Sequence, residues 1–419
     1  MNIGDKLPLM DVLICFSGAV DMASPVINDH HYRVAFIAAT IGKMAGLSKE
    51  RLGHLIIAGC LHDVGAFSLK ERLEFLNFEV KAPERHCIVG YKLLDMFEKF
   101  KSPAEFVLYH HTPWDNGKGR EFNGREVPYE SHIIHIADRI AVLADKNREI
   151  LGQADHIKDT IIKKKNTQFM PELVEIFEDI AEKEYFWLDI VSGDIQKLIT
   201  KFTDLGEFEP NINDMLSIAS MFSKIIDFRS SFTATHSAGV ASVAVKLAEL
   251  SGFSEYECTL MKIAGLLHDI GKLAVPEEIL EKPGKLTNQE FNIIKSHTYH
   301  SYRLLSSISN FDDINRWASF HHEHLNGSGY PFHLKADELP LGSRIMAVAD
   351  KFTAIAEDRP YRKGMEKDRI IDLMKRFAQN QVLDNSIVNL LIKNYEHINE
   401  TRITAQAASG DEYRKVLLT

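Results

Sequence analysis

Apolar residues recur every three or four positions over most of this chain, the period of one face of an α-helix. In HSAGVASVAVKLAELSGF, 236–253, Val240, Val243, Ala244, Leu247 and Leu250 fall on one stripe, and Gly252 stands where a helix C-cap is expected. The segments SRIMAVADKFTAIAED, 343–358, and SIVNLLIKNYEHI, 386–398, follow the same rule. The two-residue alternation of a half-buried strand is scarce. Pro and Gly cluster in KPGKLT, 282–287, and GSGYP, 327–331, which read as the main turns. The pattern predicts an all-α fold.

The polar positions that interrupt these stripes occur twice. Setting His30 on His236 gives an offset of 206, which holds through Gly46/Gly252, Ala58-Gly59/Ala264-Gly265 and His62-Asp63/His268-Asp269. After the first copy loses five residues the offset is 211, which sets His86 on His297, YKLL (91–94) on YRLL (302–305) and His110-His111 on His321-His322. One further step, to 212, sets Asp138 on Asp350. The expectation is a tandem duplication: two helical domains, 1–200 and 205–419, joined by a helical connection within 192–214. A chain of 419 residues can give each a sizeable core.

Composition narrows the function. The net charge of −10 argues against a nucleic-acid polymer as partner and against an anionic membrane surface. An anionic ligand would need local positive charge, from metal ions or a few Lys and Arg. Cys15, Cys60, Cys87 and Cys258 form no CxxC, which suits reduced thiols. The N-terminal stretch carries Asp5, Asp11 and Asp21 with no basic start before an apolar run, unlike a signal peptide. No apolar run reaches the roughly 18 residues of a membrane span. A cytoplasmic protein is expected, with a homodimer left open.

The 19 histidines are the unusual number. In the second half His236, His268, Asp269, His297, His321, His322 and Asp350 offer five imidazoles and two carboxylates. That is too many for one tetrahedral ion and suits two adjacent ions sharing a carboxylate. Two-metal sites polarise phosphoryl oxygens and supply hydroxide at neutral pH. Mixed N/O ligation points to Fe or Mn, with Ni or Zn as alternatives. Lys272 follows Asp269 by three residues, about one helical turn, where an ammonium could hold a phosphate oxygen. A single His is more often a core or surface residue than a ligand. Seven polar residues preserved in order through a duplication, while the apolar sequence around them changed, point to metal.

LLHDIGKLAVP, 266–276, followed by HHEHLNGSGYP, 321–331, resembles the HD-GYP family, a branch of the HD phosphohydrolase superfamily. The resemblance runs from about His236 to Tyr361. It implies an all-α fold and hydrolysis of a bacterial cyclic dinucleotide, cyclic di-GMP or 3′,3′-cyclic GMP-AMP, to a 5′-phosphorylated linear dinucleotide. It implies that the seven residues are metal ligands and that Asp269 and Lys272 are catalytic, with Lys272 on a phosphate. It further implies that Gly329, Tyr330 and Pro331 border the substrate pocket and that Arg359 and Arg362 form a phosphate-binding pair. Two departures stand out: Asn326 replaces the usual Asp of the signature, and Phe232 occupies the position where some members carry an acid for a third metal. Two ions are therefore expected rather than three. Glu323 could support a ligand or be a surface acid.

The first half keeps a possible second metal set, His30, His62, Asp63, His86, His110, His111 and Asp138, with room for two more ions. His31 rivals His30, and the register favours His30. What is missing is the substrate apparatus. Ala66 replaces Lys272, HHTPWDNGKGR (110–120) replaces the Gly-Tyr-Pro segment, and Asn147 stands at the Arg359 position. Such a domain could be regulatory or could act on a 5′-nucleotide. Two other classes stay open for the chain: a general nucleotide phosphohydrolase and a catalytically silent cyclic-dinucleotide-binding module.

Overall fold

The computed structural model describes residues 9–22, 29–66, 71, 78, 84–202, 211–228, 235–282, 284–358 and 363–417. The fold is all-α. Among the described residues the strand structure is one ribbon, Glu121–Phe122 paired antiparallel with Arg125–Glu126, and two isolated bridges. The chain divides into two compact units, residues 12–209 and residues 210–419 with 1–11.

In the second unit the helix His236–Leu250 is central. It packs against Glu255–Leu267, Leu341–Ala356 and the long helix Tyr395–Leu417. Val240, Val243, Ala244 and Leu247 are fully buried, as their stripe predicts. Leu250 departs from the prediction: it is the last helical residue and is 38% exposed. Gly252 follows at φ 87°, the left-handed conformation that ends helices. Capping boxes start two of the helices that build the site. Ser254 and Glu257 open Glu255–Leu267, and Thr287 and Glu290 open Asn288–Leu305.

The first unit repeats the core with His30–Met44, Lys49–Leu61, Glu84–Asp95, Lys101–Leu108 and Tyr129–Leu143. The repetition extends to backbone contacts. A Cβ on Gly59 would lie 2.8 Å from the Ala35 Cα, and one on Gly265 would lie 2.6 Å from the Ala241 Cα. Both units thus cross the same pair of helices at a distance only glycine allows. The first unit adds Leu151–Ile162, Pro171–Ala181 and Glu184–Ile190, whose Phe177, Phe186 and Trp187 pack edge to face.

Candidate metal centres

The second unit delivers its seven candidate ligands from the ends and middles of packed helices. His236 opens its helix, and His268-Asp269 follows directly on Glu255–Leu267. His297 lies within Asn288–Leu305, His321-His322 come just after Asp312–Ser319, and Asp350 lies within Leu341–Ala356. After Asp269 the chain tightens into a 3₁₀ turn, Ile270–Ala274. A Cβ on Gly271 would sit 1.9 Å from the His297 carbonyl oxygen, so only glycine lets this turn close on that helix. Ser301 locks the junction: its hydroxyl donates to the His268 carbonyl and accepts from the Gly271 N–H, both at 2.9 Å.

Three imidazoles are aimed by the same device. His268, His297 and His321 each donate Nδ1–H to the carbonyl three residues earlier, of Gly265, Ile294 and Ala318, at 2.8, 2.6 and 2.6 Å. Nε2 is left facing inward, the orientation in which backbone acceptors fix metal-binding histidines. His236 instead donates Nδ1–H to Glu357, 3.1 Å from both carboxylate oxygens.

The inward atoms converge. His236 Nε2 is 3.4 Å from Asp350 Oδ1, His268 Nε2 is 3.2 Å from Asp269 Oδ2, and His297 Nε2 is 3.4 Å from Asp269 Oδ1. His297 and His321 bring their Nε2 atoms to 3.4 Å of each other. Donors at about 2.0–2.2 Å from one ion lie roughly 3.0–3.5 Å apart, so these spacings fit a shared cation. The donors form two groups, His236/His268/Asp350 and His297/His321/His322, with Asp269 between them beside His268 and His321. His268 Nε2 is buried and makes no hydrogen bond, a cost that a cation would remove. The donor set fits divalent metal.

Charge agrees. Burial pushes His297 down to about 4 and His321 to about 3, which leaves both rings neutral donors at neutral pH. Burial alone would raise Asp269 and Asp350. His268 and Lys272 beside the first, and His236 and His322 beside the second, hold both well below the usual carboxylate range. His236 is also buried, but Glu357 and Asp350 outweigh that and push it up to about 10, which marks it as a strongly basic ring.

Around this cage Lys272 Nζ bonds Asp269 Oδ2 at 2.5 Å. Tyr330 sets its ring 5.0 Å from that of His322, with Lys295 Nζ 5.4 Å from the Tyr330 ring centre. Gly329 is buried against the backbone of His322–His324, where a Cβ would come within 2.5 Å of the His322 carbonyl oxygen. Pro331 follows a cis peptide. Glu323 is not a surface acid. It is buried and accepts from the Phe332 and Leu334 N–H groups at 2.7 and 3.0 Å, clamping the loop beyond Pro331. Asn326 holds the same loop, donating to the Asn380 carbonyl and accepting from Ser328 N–H. Arg359, Arg362 and Phe232 lie outside the described residues.

The first unit reproduces the cage closely. His30 Nε2 to Asp138 Oδ1 is 3.3 Å, His62 Nε2 to Asp63 Oδ2 is 3.4 Å, and His86 Nε2 to Asp63 Oδ1 is 3.3 Å. The Nε2 atoms of His86 and His110 are 3.3 Å apart. His62 and His110 donate Nδ1–H to the carbonyls of Gly59 and Val107. Asp63, His86, His110 and His111 gather into one group, and His30, His62 and Asp63 into another. His31 faces elsewhere, pairing through Nδ1 with Asp21; the matching Ser237 hydroxyl donates to Asp227 at 2.7 Å. Ala66 is fully buried. Beside His111 and Cys87 lies a cavity of about 470 Å³.

Two residues escaped the sequence reading. Glu357 follows Asp350 by seven residues, two turns along one helical face. That spacing could have suggested it, but nothing in the sequence ties it to His236. Arg139, adjacent to Asp138, is buried and donates to its carboxylate from Nε and Nη2.

Comparison with known proteins finds two HD-domain matches along the chain. One HD-domain sequence model matches residues 176–387, just over half of the chain, and another HD-domain model matches 27–143. A 3′3′-cGAMP-specific phosphodiesterase 1 of Vibrio cholerae is 29% identical over 412 residues, covering 96% of this chain and 95% of the relative. The cyclic di-GMP phosphodiesterase response regulator RpfG of Xanthomonas campestris is 35% identical over 201 residues, 47% of this chain and 51% of that one. The crystal structure of a cyclic GMP-AMP specific phosphodiesterase from V. cholerae aligns with a TM-score of 0.65 at 23% identity, over 97% of this chain and 98% of that one, which is a likeness of fold.

Proposed function

The chain belongs to the HD-domain family, with a C-terminal half of the HD-GYP branch behind a divergent HD domain, and on that premise we propose that the C-terminal half opens bacterial cyclic dinucleotides to 5′-phosphorylated linear dinucleotides. The observation that carries this reading is the seven-donor cage with Lys272 on its shared carboxylate and the Gly329-Tyr330-Pro331 loop against it. Cyclic di-GMP and 3′,3′-cyclic GMP-AMP are the substrate class. The relative matched over nearly the whole chain carries the second compound in its name, which supports the mixed dinucleotide.

Two divalent ions, Fe or Mn before Ni or Zn, suit the nitrogen-rich donors with two carboxylates. When bound they would polarise a phosphoryl oxygen and make water a nucleophile at neutral pH. The chain's own residues do the rest. Asp269, held ionised, faces both donor groups. Lys272 is placed to neutralise a non-bridging phosphate oxygen as charge builds there. Tyr330 offers a ring face to the substrate, and Glu323 keeps its loop in place. Oxygen from water joins phosphorus, the bond to the 3′-oxygen breaks, and the 3′-hydroxyl departs with a proton. Arg359 and Arg362 complete the proposal as a phosphate-binding pair.

The first half binds metal, and a role in regulation or on a 5′-nucleotide fits its separate cavity. About 470 Å³ is the size of a small-ligand site, and Tyr109, Phe122, Asn123 and Arg125 line it beside His111. The four cysteines are all free thiols, which supports a reducing, cytoplasmic setting. Among the described residues no helix is long and apolar enough to cross a membrane.

The test is incubation of the purified chain with Mn²⁺ or Fe²⁺ and each cyclic dinucleotide, followed by chromatography. A linear 5′-phosphorylated dinucleotide is expected, fastest from the mixed compound. No linear product from any of them would contradict the proposal.

A further inference from the structure

The two cages share donor spacings to within about 0.2 Å at three matched pairs: 3.3 against 3.4 Å for the first His with the last Asp, 3.4 against 3.2 Å within the His-Asp doublet, and 3.3 against 3.4 Å for the third His with the shared Asp. They differ in what stands behind the donors, and both differences fall on the same side of the cage.

The first concerns the carboxylate. Asp138 accepts Arg139 Nε at 3.1 Å and Nη2 at 2.5 Å on its Oδ2. Arg139 is 1% exposed and also donates to the Phe78 carbonyl at 3.2 Å. A buried guanidinium thus holds one oxygen of this carboxylate and sets a full positive charge beside the place a cation would take. At the matching position of the second unit, Lys351 turns its ammonium over the Phe377 ring, 5.9 Å from its centre, and makes no ion pair with Asp350.

The second concerns the imidazole. His236 Nδ1 is held by Glu357, and Glu357 in turn accepts from Gln406 Nε2 at 2.9 Å. The offset that pairs Asp138 with Asp350 pairs Asp145 with Glu357. Asp145 is exposed and caps its own turn, accepting from Asn147 N–H at 2.9 Å. His30 Nδ1 is buried and makes no hydrogen bond. The first histidine of this cage has lost the acceptor that fixes its ring and raises its basicity. Losses of that kind cost about 10–100-fold in metal affinity.

The other side of the cage is intact. Asp63, His86, His110 and His111 stand together as four donors, and His110 keeps its backbone acceptor, Val107, at 2.6 Å just as His321 keeps Ala318. We infer that the N-terminal cage holds a single divalent ion, on Asp63, His86, His110 and His111, and that Arg139 takes the place of the second cation beside His30, His62 and Asp138. The cage is mononuclear with a built-in guanidinium. The inference rests on the reading of both cages as metal sites.

The measurement is metal content of the full-length chain after reconstitution with Mn²⁺ and removal of loose metal. The wild type should hold three ions. The variant H268A/D269A, which removes the carboxylate between the two C-terminal donor groups and the imidazole beside it, should hold one ion in its N-terminal cage, and its electron paramagnetic resonance spectrum should be the six lines of an isolated Mn²⁺. The variant H86A/H110A, which leaves only the C-terminal cage, should hold two, with an exchange-coupled spectrum; any other count there contradicts the two-ion reading of that half and not this inference. R139Q, which removes the guanidinium from Asp138, should let a second ion into the N-terminal cage, so that the full-length count rises from three to four. If R139Q fails to fold, the wild-type and H268A/D269A counts still decide. Two tightly held, coupled ions in H268A/D269A, or none at all, would overturn the inference.

Discussion

Lys272 and Glu357 touch different residues of one cage and do different work. Lys272 bonds the carboxylate that faces both donor groups, so its ammonium lies where phosphate charge would build. Replacing it with alanine should lower kcat by about 10²–10³-fold, the usual effect of losing one transition-state donor, while metal content measured by elemental analysis stays at the wild-type value. Glu357 acts one step back, through His236. Glu357→Gln should weaken metal binding about 10–100-fold, read as a higher Mn²⁺ concentration for half-activity, with kcat nearly restored at saturating metal. Residues of these two kinds were unequally legible. The seven candidate ligands and Lys272 stand out because the chain contains the pattern twice and one lysine in only one copy. Glu357 and Arg139 act through contacts that no local pattern encodes: His236 and Glu357 are 121 positions apart. Arg139 is merely the neighbour of a candidate ligand until its burial is seen.

At the scale of elements, capping and close approach decide whether donors meet. Asp384 caps Asn385–Lys393 by accepting from Ser386 and Ile387 N–H at 2.8 and 3.3 Å, and its other oxygen takes Arg344 at 3.2 Å, a residue of the helix that carries Asp350. Burial opposes its charge, but the Ser386 and Arg344 bonds win and hold the carboxyl below its ordinary value. A depressed carboxyl stabilises the fold above its unfolded pKa of about 3.9 and loses that contribution as pH falls through the depressed value. Asp384→Ala should therefore lower stability by about 1 kcal/mol at pH 7. The gap in urea midpoints between variant and wild type should narrow below pH about 4. The helices themselves were readable from period and punctuation: the apolar stripe of His236–Leu250 is buried up to its last turn, where Leu250 reaches solvent because no further turn covers it. The role of Gly271 was not readable, since it depends on a helix that begins seventeen residues later and turns its His297 carbonyl onto that spot.

Across the whole molecule, duplication has produced two cages of nearly equal geometry with different surroundings. Each cage concentrates buried imidazole and carboxylate, including His62 Nε2, Asp63 Oδ1, Asp138 Oδ1 and His268 Nε2 without hydrogen bonds. Such groups cost stability unless a cation satisfies them. Chelation of tightly bound metal should thus lower the thermal midpoint by about 5–10 °C, as expected for a ligand present at some hundredfold its Kd, and re-addition of Mn²⁺ should restore it. The halves diverge where substrate would lie: Ala66 is buried where Lys272 stands in the other copy, and the loop with Gly329, Tyr330 and Pro331 has no equivalent beside His111. The most direct test of the central claim is therefore a paired comparison in the full-length chain. Cyclic dinucleotide hydrolysis should be abolished in H268A/D269A and should persist at near the wild-type rate in H62A/D63A. Ring opening that survives in H268A/D269A and disappears in H62A/D63A would contradict the account.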